Sequence, residues 1–104
     1  MAARIFPIDQ TRFGRLNIIF ASPSMKRGVQ STTPDGVPQW DVECARTDGE
    51  WTGRVTVQVV SEAKPAIPAG TEVLFDDLKV IYWWKNDTTK ASGVFLVAEG
   101  VTAA

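Results

Sequence analysis

Apolar residues recur at every second position in four separate stretches of this chain. Leu16, Ile18 and Phe20 form one set, and Trp40, Val42 and Cys44 a second. Val55, Val57 and Val59 form a third, and Leu78, Val80, Tyr82 and Trp84 a fourth. Successive side chains of a strand point to opposite faces, so this alternation predicts half-buried strands. No stretch carries the spacing of an amphipathic helix, and glycine and proline are spread too evenly for long helices. An all-β fold is the expectation.

Five strands follow, at about residues 12–21, 37–46, 51–61, 71–85 and 93–101. A polar loop over 22–36 holds Met25-Lys26-Arg27-Gly28. Thr47-Asp48-Gly49-Glu50 supplies a hairpin turn, since Asp-Gly adopts the positive φ angles that tight hairpins need. Pro65 and Pro68 forbid a long helix in the next connection and leave a loop or a single turn. Asp76-Asp77 predicts a bulge or bend that lets one strand serve both ends of a barrel. One hairpin, a long first loop and a polar loop before the last strand fit a five-stranded Greek-key barrel, with a two-sheet β-sandwich as the competing architecture. The 104 residues suffice for one domain with one core, spanning 1–104.

Composition narrows function mainly by exclusion. The chain has no histidine, the commonest general base and metal ligand, and one cysteine, so no zinc constellation is available. Asp41 and Glu43 share a strand face and could hold a cation or exchange protons, but simple alternation already explains them as a solvated polar face. Cys44 shares the phase of Trp40 and Val42, which makes it a small core residue. The expectation is a non-enzymatic protein with no cofactor, no metal and no small-molecule substrate. No apolar run approaches the roughly 18 residues of a membrane span, and the N-terminus lacks the apolar core of a secretory signal. A single cysteine makes a cytoplasmic setting the default.

The formal net charge is −1, so no global basic field points to nucleic acid. The distribution is uneven, however. Residues 1–46 carry six basic and four acidic side chains, and residues 47–104 carry five and eight. Single-strand binding needs aromatic faces for bases and cations for phosphates. Trp51 stands at the expected hairpin tip, three residues before Arg54. Trp83 shares the expected outward face of strand four with Lys79 and Lys85. An outward tryptophan needs a cover, either a stacked base or another subunit. Lys26 and Arg27 lie in the first loop and Lys90 in the last. Trp40 and Trp84 follow the core phase.

From Val37 to Val101 the layout resembles the OB-fold single-stranded DNA-binding proteins of the SSB type. The resemblance rests on the Trp40…Cys44 strand, Trp51, Gly70-x-x-Val73, Leu78, Trp83 and the terminal Val-Phe-Leu-Val-Ala. It implies a protein of DNA replication that binds single-stranded DNA with little sequence preference, usually as a homo-oligomer. The loops carrying Lys26, Arg27 and Lys90 would border the ligand cleft, and Trp51, Arg54 and Trp83 would take the stacking and phosphate roles. The chain ends at Thr-Ala-Ala without an acidic-tipped tail, and Asp41 and Glu43 put negative charge near the cleft. A phage or plasmid relative fits those departures better than the housekeeping type. The alternative is a structural or protein-interaction β-domain whose exposed tryptophans form an oligomer interface.

Overall fold

A computed structural model describes residues 2–47, 53–84 and 92–104. The elements in chain order are β1 (Ala2–Pro7), α1 (Gln10–Phe13), β2 (Leu16–Pro23), β3 (Met25–Lys26) and β4 (Val29–Gln30). They continue as β5 (Gln39–Arg46), β6 (Gly53–Val60), β7 (Glu72–Asp76), β8 (Lys79–Trp84), β9 (Ser92–Ala98) and β10 (Gly100–Ala103). The all-β expectation holds. Eight strands form one sheet in the order β1-β8-β9-β6-β5-β2-β7-β10, and β3-β4 form a separate ribbon.

The expected break in strand four is real. Asp77 takes a left-handed φ of 54°, which ends β7 and lets the chain restart as β8. Only Asp77 and Leu78 join these two strands, yet β8 and β7 lie near opposite ends of the sheet order. The sheet therefore curls until both sides share one stretch of chain. Among the described residues all the pairings are antiparallel except β6 with β9, whose parallel ladder runs from Val57↔Leu96 to Val59↔Ala98.

The core lies inside the curl. Leu16, Val42, Cys44, Val57, Val59 and Val73 have no solvent exposure, and Ile18, Phe75 and Leu78 are buried around them. These are the inward positions of β2, β5, β6 and β7, as the alternation requires. Trp40 packs at the edge of this cluster and donates its indole N–H to the Ser61 carbonyl at 2.9 Å. A buried indole nitrogen needs such an acceptor.

Four expectations need correction. The first strand starts at Leu16 rather than near residue 12, because α1 occupies residues 10–13. Asp9 caps that turn, accepting the Thr11 N–H at 3.1 Å and the Thr11 hydroxyl at 2.6 Å. Phe20 does not share the core face of Ile18. A register shift between Ile18 and Phe20 rotates the strand, so Ala21 is buried and Phe20 is 48% exposed. β1 was not anticipated, and it forms one edge of the sheet on β8. The last strand divides into β9 and β10, turning where the Glu99 N–H donates to the Asp76 carbonyl at 2.8 Å. The connection over 61–71 contains no helix, as its prolines dictate.

Candidate functional site

Strand pairing assembles one outward face from β5, β6, β9 and β8. Asp41 stands opposite Gln58, Gln58 opposite Val97, and Val97 opposite Lys79. The same phase places Ile81 opposite Phe95 and Trp83 opposite Gly93. The centre of this face is Phe95, which is 44% exposed. It had no assigned role in the sequence. The alternation of Gly93, Phe95 and Val97 against Val94, Leu96 and Ala98 was the available signal.

Among the described residues three grooves meet at Phe95. The first holds about 630 Å³ and runs between the Phe95 ring, Gln39, Gln58 and the β3-β4 ribbon, where Lys26, Arg27 and Gln30 line it. The ribbon turns through Arg27 and Gly28, with φ of 53° and 79°. Two consecutive left-handed residues make the tight hairpin whose twist matches its strands. That turn lifts Lys26 and Arg27 into solvent, and both are exposed. Two amides in this groove are fixed by hydrogen bonds. Gln30 Nε2 donates to the Gln39 carbonyl at 3.0 Å, and Gln58 Nε2 donates to the buried Ser24 hydroxyl at 2.9 Å.

The second groove, of about 480 Å³, opens between β6 and β9 and is lined by Phe13, Arg54, Val55, Val94 and Phe95. It exists because the parallel ladder stops at Val57↔Leu96, so the strands diverge beyond it. The third, of about 380 Å³, lies on the other side of Phe95, with Asp77, Lys79 and Ile81 along it.

The cations on this face are unequal. Arg54 Nη2 lies 2.9 Å from Glu43 Oε1, and Lys79 Nζ lies 2.8 Å from Asp77 Oδ2. The hydrogen bond and charge of Asp77 hold the Lys79 ammonium above the ordinary lysine pKa. Trp83 is partly exposed, not fully outward. Its indole lies across Gly93, where an added Cβ would fall 2.8 Å from ring atoms. The structure thus brings Arg54, Lys79 and Trp83 onto one face, with Lys26 and Arg27 on the neighbouring ribbon. Trp51, Lys85 and Lys90 lie outside the described residues.

The other phase of β8 corrects a further expectation. Tyr82 was assigned to the core with Val80 and Trp84, yet it is 41% exposed. Beyond the short parallel ladder β9 has no further pairing with β6 among the described residues, so β8 and β9 run on as an overhang on which Tyr82 and Val94 are exposed. Tyr82 and Trp84 instead lean on each other, with ring centroids 5.4 Å apart.

Among the described residues no three histidine, cysteine, aspartate or glutamate side chains gather as metal ligands. Cys44 is fully buried, and desolvation, aided by Glu43, pushes its thiol up to about 12, so it stays protonated. Among the described residues no helix is long and apolar enough to cross a membrane. No protein-family model matches the chain, and no curated protein matches it significantly.

Proposed function

We propose that this chain is a non-enzymatic, OB-like barrel protein of the cytoplasm that binds single-stranded DNA with little sequence preference. The carrying observation is the outward face itself. Phe95 and Trp83 present aromatic rings on it, Arg54 and Lys79 stand beside them, and Lys26 and Arg27 rim the adjoining groove. Bases stack on such rings without regard to sequence, while cations follow the phosphates. The strand succession β7-β2-β5-β6-β9-β8, with parallel β6 and β9, supports the barrel reading. In it β2, β5, β6 and β9 are strands one, two, three and five, and the broken β7-β8 is strand four. The likeness to SSB-type replication proteins of phage or plasmid kind belongs to the same proposal.

Titration with oligo(dT) tests it. Tryptophan emission falls on binding, and the affinity weakens with salt at about −0.7 per neutralised phosphate. No binding at low salt discards the proposal.

A second reading, an assembly interface, is favoured by one observation. Phe6, Tyr82 and Val94, which share one face of β1, β8 and β9, are all more than two-fifths exposed. Sedimentation separates the two: a homo-oligomer that ignores DNA supports assembly alone, and an oligomer that binds DNA supports both.

A further inference from the structure

Phe95 stands between two ion pairs. The groove on one side of it contains Arg54, bound to Glu43, and the groove on the other contains Lys79, bound to Asp77. Lys26 and Arg27, in the remaining groove beside the β3-β4 ribbon, have no carboxylate within ion-pair distance among the described residues. Half of the cations around the ring are therefore already occupied by anions of the protein itself.

We propose that Glu43 and Asp77 are specificity-determining residues that compete with phosphate for Arg54 and Lys79, so the face accepts only polyanions that also bring stacking bases. The inference rests on the nucleic-acid reading of this face.

Its physics is an exchange. One member of each pair is well exposed, Arg54 at 62% against 22% for Glu43 and Asp77 at 52% against 35% for Lys79, so solvent reaches both pairs and leaves them weak and open to displacement. A phosphate that takes Arg54 leaves Glu43 unpaired, and Glu43 then recruits a cation from solution. That uptake offsets the counterion the phosphate releases, and counterion release is the main electrostatic gain of binding. An anion without bases gains little at Arg54 or Lys79. A strand that stacks on Phe95 and Trp83 gains from stacking as well, and so it displaces the carboxylates. The acidic residues thus filter for nucleobases rather than merely weakening the site.

The test compares the wild-type protein with Glu43→Gln, Asp77→Asn and the double variant. Both substitutions keep shape and remove charge, and asparagine tolerates the left-handed backbone of position 77. The probes are oligo(dT) and inorganic polyphosphate of matched charge, each followed across a salt series. Wild type is expected to bind oligo(dT) with a salt slope of about −1.4, the value for two neutralised phosphates, and to bind polyphosphate far more weakly, through Lys26 and Arg27 alone. The double variant is expected to steepen toward about −2.8, to bind oligo(dT) about tenfold tighter at low salt, and to bind polyphosphate more tightly than wild type does. Wild-type slope and affinity in the double variant overturn the inference while leaving DNA binding intact. Wild-type binding to polyphosphate as tight as to oligo(dT) also overturns it. If wild type binds no oligo(dT), the functional reading falls and the inference falls with it. Circular dichroism checks the fold. Should Glu43→Gln perturb it, Asp77→Asn alone still steepens the slope by about 0.7, and failure to do so overturns the inference.

Discussion

The indole of Trp83 packs against Gly93, its cross-strand partner, so closely that a Cβ at position 93 would fall 2.8 Å from the ring. The glycine is what lets a large aromatic lie along an exposed sheet face instead of standing out from it. A ring held against main chain has little freedom to move, and rigidity lowers the entropy lost when a base stacks.

Gly93→Val should lift Trp83 off the sheet. Both residues lie on the overhang, away from the core, so the melting temperature should change little. Tryptophan emission should shift, and oligo(dT) affinity should fall. An unchanged affinity would show that Trp83 takes no part in stacking.

Phe95→Ala should weaken oligo(dT) binding by about 1–3 kcal/mol, the usual cost of losing one stacking platform. The ring is 44% exposed, so stability should hardly move. Isothermal titration beside a thermal melt checks both. Wild-type affinity with a normal melt would remove Phe95 from the site.

Leu16→Ala should destabilise the fold by about 2–5 kcal/mol in a urea melt, because the side chain is fully buried and its loss opens a cavity. Trp84→Ala should cost less despite the larger residue, since Trp84 is only partly buried and leans on the exposed Tyr82. The reverse order would place the overhang inside the cooperative core.

Cys44 predicts an alkaline weakness. Its thiol is raised to about 12 in the folded chain against 9.0 ordinarily. The unfolded chain therefore loses this proton first as pH rises, and folding loses free energy. Stability from this group is complete below about pH 9 and falls toward pH 12, by at most about 1.4 kcal/mol per pH unit. Urea melts from pH 8 to 11 should show the decline in wild type. Cys44→Ala should lack that component, and equal slopes for the two proteins would exclude it.

The sequence was most legible where alternation met a filled interior. Val55, Val57 and Val59 read as core and are core, and Asp76-Asp77 read as a break and is one. The alternation failed at Phe20 because a single irregular residue reverses the phase of everything after it. At Tyr82 it failed for a different reason: alternation separates two faces but cannot say whether anything covers the second. β1 escaped notice because Arg4 and Pro7 interrupt a short run, and its partner lies more than seventy residues away in the chain. Of the eight candidate site residues, the five that are described gather on one side of the molecule. Phe95 was missed because a run of valine, phenylalanine, leucine and valine looks apolar on both faces until pairing assigns each side chain.

The overhang of β8 and β9 also separates two kinds of evolutionary freedom. The buried valines of β6 are locked by neighbours on every side, so a change there is felt throughout the interior. Among the described residues, Trp83 and Trp84 of the strand pair stand outside the buried core. Outward residues there can be exchanged while the alternation of faces is kept and the core is left untouched. The surface chemistry of this pair can thus be retuned toward a ligand or partner without renegotiating the fold.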